Sequence, residues 1–241
     1  MKKIKLHIPN VITSLNLLCG ALGIVFVCRG NLQTAFWLLA VASVFDFLDG
    51  FAARILNAYS PMGKELDSLA DVVSFGLLPS FMLYYTYIEA APYEWMTFLP
   101  FVLVVFSALR LAKFNIDTRQ THGFLGLPTP ACALLVAAAV LYAPYSIPWS
   151  ILLSTPWFIP LLSLVLSFLL VSNIPMFSLK LKGIGLKNNK VPYSFLGLCL
   201  LTIALLALFR QPVFLMLLCC SCLYIIMSGL LWVSGHHKAI S

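Results

Sequence analysis

Apolar runs of bilayer length follow one another along almost the whole 241-residue chain, and no other feature restricts its fold as tightly. A segment crossing lipid must satisfy its own backbone hydrogen bonds, so a series of such runs folds as a bundle of helices. Candidate spans cover 11–28, 32–56, 66–88, 95–111, 130–143, 148–175, 191–209 and 212–233. They are to be compared with a hydrocarbon core about 30 Å thick. The chain is 61% hydrophobic and only 10% charged, too little charge to cover a soluble surface of this size. The expected fold class is therefore an all-α polytopic membrane protein with about eight transmembrane helices. It should form one integral-membrane domain over 1–241, with no soluble module.

Charge orients this bundle. With eight spans and a cytoplasmic N-terminus, the cytoplasmic segments hold Lys2, Lys3, Lys5, Arg54, Lys64, Arg110, Lys113, Arg119, Lys180, Lys182, Lys187, Lys190 and Lys238. Only Arg29 and Arg210 fall on the far side, so thirteen of fifteen basic residues obey the positive-inside rule. The expected location is the inner (cytoplasmic) membrane, multi-pass, with both termini in the cytoplasm. The basic N-terminus is not followed by a small-residue cleavage site, which reads as a retained first span. The basic loop 180–190 sets topology and meets anionic headgroups; no aromatic-interleaved basic face accompanies it, so no nucleic-acid partner is expected. The seven cysteines lie in or beside apolar spans without paired zinc spacing, and are read as core-filling thiols.

Four acids break the apolar pattern: Asp46 and Asp49 near the end of the second span, Asp67 and Asp71 at the start of the third. A carboxylate at the centre of a membrane helix costs about 2.5–3.5 kcal/mol or more, so it marks function by default. Asp46 and Asp49 are spaced i, i+3, and Asp67 and Asp71 i, i+4, so each pair shares a helix face. The short 57–63 connection makes the two helices antiparallel neighbours, and all four carboxylates are expected to converge at similar depth. Like charges this close repel unless a cation sits between them. Hard oxygen donors suit Mg²⁺ or Mn²⁺, and four carboxylates suffice for two ions. Gly50 lets a ligand approach the backbone, and Arg54, one turn further, is placed for a phosphate. Confinement of the acids to one hairpin favours a site over an ion path, which needs acids on several separate helices. A divalent-metal transporter is the alternative from a different class.

The run Asp46-x-x-Asp49-Gly50-x-x-Ala53-Arg54, an eight-residue gap over 55–62, then Gly63-x-x-x-Asp67-x-x-x-Asp71, resembles the signature of the CDP-alcohol phosphotransferases. The resemblance covers a core of about 9–175; the last two spans, about 191–233, carry no motif. It implies the fold of that family and attack of an alcohol hydroxyl on the β-phosphorus of a CDP-linked lipid, with CMP leaving. By resemblance, Asp46, Asp49, Asp67 and Asp71 are metal ligands, and Asp71 is also the catalytic base. Gly50, Arg54 and Ser60 contact the CDP-lipid, and Asn10 and Thr13, opening the first span, reach the cytidine or phosphates. Read as residues alone, Asn10 and Thr13 serve equally well as helix-capping groups. The family also implies a homodimer.

Three stretches, 67–76, 109–115 and 126–131, resemble the phosphatidylserine synthase branch. The implied donor is CDP-diacylglycerol and the implied acceptor L-serine, giving phosphatidylserine. Arg110 and Lys113, one turn apart, would hold the serine carboxylate, with Asn115 and Ser74 as polar contacts. Lys113 offers charge without the bidentate fork of an arginine. Acceptors such as glycerol 3-phosphate or inositol phosphate add a phosphate dianion and call for a denser basic pocket. Acyl and isoprenoid donor tails leave no distinguishing mark on lining residues.

Overall fold

The structure, a computed structural model, describes residues 2–116, 124–177 and 189–234. Arg119, Lys238 and residues 180–188 of the basic loop lie outside the described residues. The chain forms α1 (Lys2–Cys28), α2 (Leu32–Ile55), α3 (Pro61–Asp71) and, after a π-helical turn over Val72–Leu77, α4 (Leu78–Tyr87). A 3₁₀ segment over Glu94–Phe101 leads into α5 (Val102–Ile116). Beyond it lie β1 (Phe124–Leu125), α6 (Thr129–Tyr142), α7 (Ile147–Leu153), α8 (Phe158–Val171), β2 (Pro175–Met176), α9 (Lys190–Leu208) and α10 (Val213–Val233).

This is a multi-pass integral membrane protein. Among the described residues, six helical stretches are long and apolar enough to cross a bilayer, and α7 with α8, bent by 79° at their junction, makes a seventh if taken as one span. The sequence led us to expect about eight, and all eight segments are helical. The difference lies in α6, whose fourteen residues rise only about 21 Å at 1.5 Å per residue. It is also enclosed. Cys132, Ala133, Val136, Ala137 and Val140 are buried, with α10, α4 and α2 packed around them. Its Ala-rich sequence lets those neighbours approach closely, as small residues do between membrane helices. Large apolar side chains on α2, α8, α9 and α10 face outward instead, as lipid requires.

The helical hairpin of acids differs from expectation at its turn. Helix α3 begins at Pro61, not near 66, because Ser60 caps it by accepting a hydrogen bond from the Gly63 amide at 3.0 Å. Proline at the first helical position is pre-organised for the turn that follows. Asp67 consequently stands in the second turn of a helix that already has its register.

Helix α1 packs along α2, α3, the π turn and α4. Its buried stripe runs Pro9, Thr13, Asn16, Gly20, Gly23 and Val27, polar at one end and small or apolar at the other. Gly20 is required there, since a Cβ at that position would sit 2.4 Å from Ser74 Oγ and 2.8 Å from Ser74 Cα. β1 and β2 form a two-residue antiparallel pair that ties the start of α6 to the end of α8. The Leu127 amide adds a hydrogen bond to the Leu169 carbonyl at 2.9 Å.

Candidate metal and phosphate site

Regular helix geometry places Asp46 and Asp49 on one face of α2, and Asp67 on the facing side of α3. One carboxylate oxygen from each lies within 4.8 Å of the other two. Asp67 Oδ1 is buried with no hydrogen-bond partner among the described residues. A buried acceptor left unpaired costs about 1–3 kcal/mol, more when it is charged. Three carboxylates crowded together, one with an unmet oxygen, suit a hard divalent cation, and the residues fit such an ion. Asp71 stands outside this triangle, one turn further along α3 and buried.

A cavity of about 190 Å³ opens beside the triangle. Asp49 and Asp67 line it together with four residues expected to meet the CDP-lipid: Asn10, Thr13, Gly50 and Ser60. A Cβ built on Gly50 meets nothing within 4 Å, so the helix presents bare backbone to open space at this point. Gly63 has the opposite reason for its identity, because a Cβ there would come within 2.9 Å of Asn10 Oδ1. Thr13 donates to Asp49 Oδ2 at 2.6 Å while lying 3.0 Å from the Pro9 carbonyl, so it orients an acid besides lining the cavity. Ser60 combines the cavity wall with the cap of α3. Arg54 is exposed and does not line the cavity.

Lys64, which the sequence reading used only for topology, lines the cavity and donates to the Asn115 carbonyl at 2.9 Å. Asn16 was missed altogether. It is fully buried, and its Nδ2 donates to Asp71 Oδ1 at 3.3 Å. The available signal was an amide on the Pro9–Thr13 stripe, inside the first span.

The four residues expected to hold serine each hydrogen-bond to a different partner. Arg110 is buried, its Nη1 donates to Thr129 Oγ1 at 3.1 Å, and its Nε has no hydrogen-bond partner among the described residues. Lys113 instead reaches the end of α8, donating to the Val171 carbonyl at 3.3 Å and Asn173 Oδ1 at 2.9 Å. Asn115 donates to Ser68 Oγ at 2.8 Å, and Ser74 donates to the Asn16 carbonyl at 3.0 Å. Thr129, the partner of Arg110, lies in the 126–131 stretch that the sequence marked, but no role was expected of it.

The family model for CDP-alcohol phosphatidyltransferase matches residues 6–171, which takes in the acid hairpin, the cavity and Arg110. The chain belongs to that family. Members of it depend on divalent metal, in keeping with the carboxylate triangle. The chain is 36% identical over 177 residues to the CDP-diacylglycerol–serine O-phosphatidyltransferase of Mycobacterium leprae, covering 70% of this chain and 57% of that one. It is 37% identical over 139 residues to the enzyme of the same name from Bacillus subtilis, covering 57% and 78%. It is also 34% identical over 142 residues to the archaetidylserine synthase of Methanothermobacter thermautotrophicus, covering 58% and 60%. The matches to the mycobacterial relatives thus span less than two thirds of their length.

Proposed function

We propose that this protein transfers the phosphatidyl group of CDP-diacylglycerol to the hydroxyl of L-serine, releasing CMP. The observation that carries the reading is the triangle of Asp46, Asp49 and Asp67 against a cavity whose wall includes bare backbone at Gly50. Relatives whose names specify serine as the acceptor support the choice of alcohol. Their names differ in the lipid, and an isoprenoid-based donor is the second reading that the archaeal relative favours.

In this reading the diphosphate of the donor enters the cavity with its tails in the bilayer. Asp46, Asp49, Asp67 and Asp71 hold divalent cation, Mg²⁺ or Mn²⁺, with room in the ligand count for two ions. When bound, the metal neutralises the diphosphate and the developing charge on CMP. The chain itself does the rest. Asn10, Thr13 and Ser60 line the nucleotide side, Gly50 permits close approach, and Arg54 swings from its exposed position onto a phosphate. Asp71 accepts the proton of the serine hydroxyl as the new O–P bond forms and the bond to CMP breaks. Arg110, with its unpartnered Nε, receives the serine carboxylate. The site faces the cytoplasm in the inner membrane, the side on which Arg54, Lys64 and Lys113 fall, and the protein works as a homodimer.

The test is CMP release by purified protein in detergent with CDP-diacylglycerol and Mg²⁺ or Mn²⁺, offering serine, glycerol 3-phosphate and inositol phosphate separately. Serine-dependent release that disappears in Asp71→Asn is the expected result. Release with another alcohol overturns the acceptor, release only from an isoprenoid donor overturns the lipid, and metal uptake without CMP release favours a transporter.

A further inference from the structure

We propose that Asn16 is a positioning residue for Asp71, holding the fourth aspartate in place from α1. The inference rests on reading Asp71 as a metal ligand and base in the reaction above.

Helix α1 donates hydrogen bonds to the acids of the hairpin from two side chains spaced i, i+3 on one face. Thr13 donates to Asp49 on α2, and Asn16 donates to Asp71 on α3. Each helix of the hairpin thus has one carboxylate held by α1. The two acids differ in how much else holds them. Asp49 belongs to the close triangle, whereas Asp71 stands outside it and is the last residue of α3 before the wider π turn. Asp71 keeps α-helical backbone angles, φ −62° and ψ −39°, so register sets where its side chain leaves α3, and the rotation of the carboxylate is left for a partner to fix.

Asn16 is suited to aim it because its own backbone is fixed. The Ser74 hydroxyl donates to the Asn16 carbonyl, and Ser74 rests against Gly20 with no space for a Cβ. Helix α1 cannot slide along the π turn without breaking this contact. The amide therefore extends to Asp71 from an anchored point. Packing alone does not account for an amide at this position. Asn16 is fully buried and its Oδ1 has no partner among the described residues, a burden that an aliphatic side chain of similar size would not carry. The hydrogen bond to Asp71 is what the amide supplies and the aliphatic chain lacks.

The experiment compares the full chain with Asn16→Leu and Asn16→Ser, each alone and combined with Asp71→Asn. Mn²⁺ binding is read from the EPR signal of the free ion, and turnover from CMP release. Loss of a hydrogen bond that orients a metal ligand typically weakens metal binding or activity about 10- to 100-fold. Both single variants are expected to lose Mn²⁺ affinity by such a factor, and kcat with it, while KM for CDP-diacylglycerol changes little. With Asp71→Asn already present, either Asn16 substitution should cause no further loss of affinity. Unchanged affinity in the single variants, or the same loss in both backgrounds, overturns the proposal. So does a native chain that binds no Mn²⁺. Asn16→Ser answers the question if the leucine does not fit. Failure of the proposed reaction is separate, since a chain that binds Mn²⁺ yet releases no CMP still reports on Asn16.

Discussion

The α2–α3 hairpin and helix α5 were each expected to carry half of the chemistry, and the fold treats them differently. On the hairpin, three of four acids meet within 4.8 Å, and Gly50 and Ser60 line one cavity beside them together with Asn10 and Thr13 of α1. On α5, residues within six positions of one another part company. Arg110 turns into the core toward Thr129, Lys113 closes the end of α8, and Asn115 turns back to α3. Spacing within one helix or a tight hairpin fixes which side chains meet. Spacing along a helix that touches several neighbours does not fix which neighbour each side chain chooses.

The sharpest way to break this contrast is Asp67→Asn. If the triangle is the metal centre, serine-dependent CMP release should fall at least about 10²- to 10³-fold, as when one main source of transition-state charge stabilisation is removed. Retained activity would detach the triangle from the chemistry. Chelation with EDTA should abolish release to a similar extent, and Mg²⁺ or Mn²⁺ should restore it. Activity indifferent to chelation would leave the three acids unexplained.

Smaller effects distinguish Arg110 from Lys113. Arg110→Lys keeps the charge and loses the fork, so KM for serine should rise about 10-fold or more while KM for CDP-diacylglycerol stays put. Lys113→Met should leave KM for serine nearly unchanged and cost about 1 kcal/mol of stability through its lost hydrogen bonds at the end of α8. A serine effect from Lys113→Met equal to that of Arg110→Lys would restore the expected pair. The smallest structural effect belongs to Gly50→Ala. With nothing near the new methyl, the free protein should gain up to about 1 kcal/mol from helix propensity. KM for CDP-diacylglycerol should nevertheless rise, and an unchanged KM would remove Gly50 from the donor site.

The helices were legible because their cause is local. A run of apolar residues with a break at Arg29-Gly30-Asn31 or Arg210-Gln211-Pro212 carries its own boundaries, and α2 and α10 end within a residue or so of expectation. The start of α3 was misplaced because Pro61 and Gly63 were read as loop. The Ser60 cap and proline at the first helical position instead begin a helix. The crossing count is less legible, because hydropathy alone does not show that α6 is short and enclosed or that α7 and α8 are bent by 79° at their junction.

By itself the sequence determined that this chain lies in a membrane as helices and that one hairpin concentrates acids at metal-binding spacing. Hydropathy and helical periodicity act over a few residues, so both were fixed before any long-range contact formed. Only the tertiary structure decided that α1 supplies hydrogen bonds to Asp49 and Asp71, that Arg110 keeps company with Thr129, and that Lys113 serves α8. Those pairs are 36, 55, 19 and 58 residues apart. Contacts at such separations depend on how whole helices rotate and slide against each other. That is settled where Gly20 and Gly63 permit close approach, and no periodicity within a single helix records it.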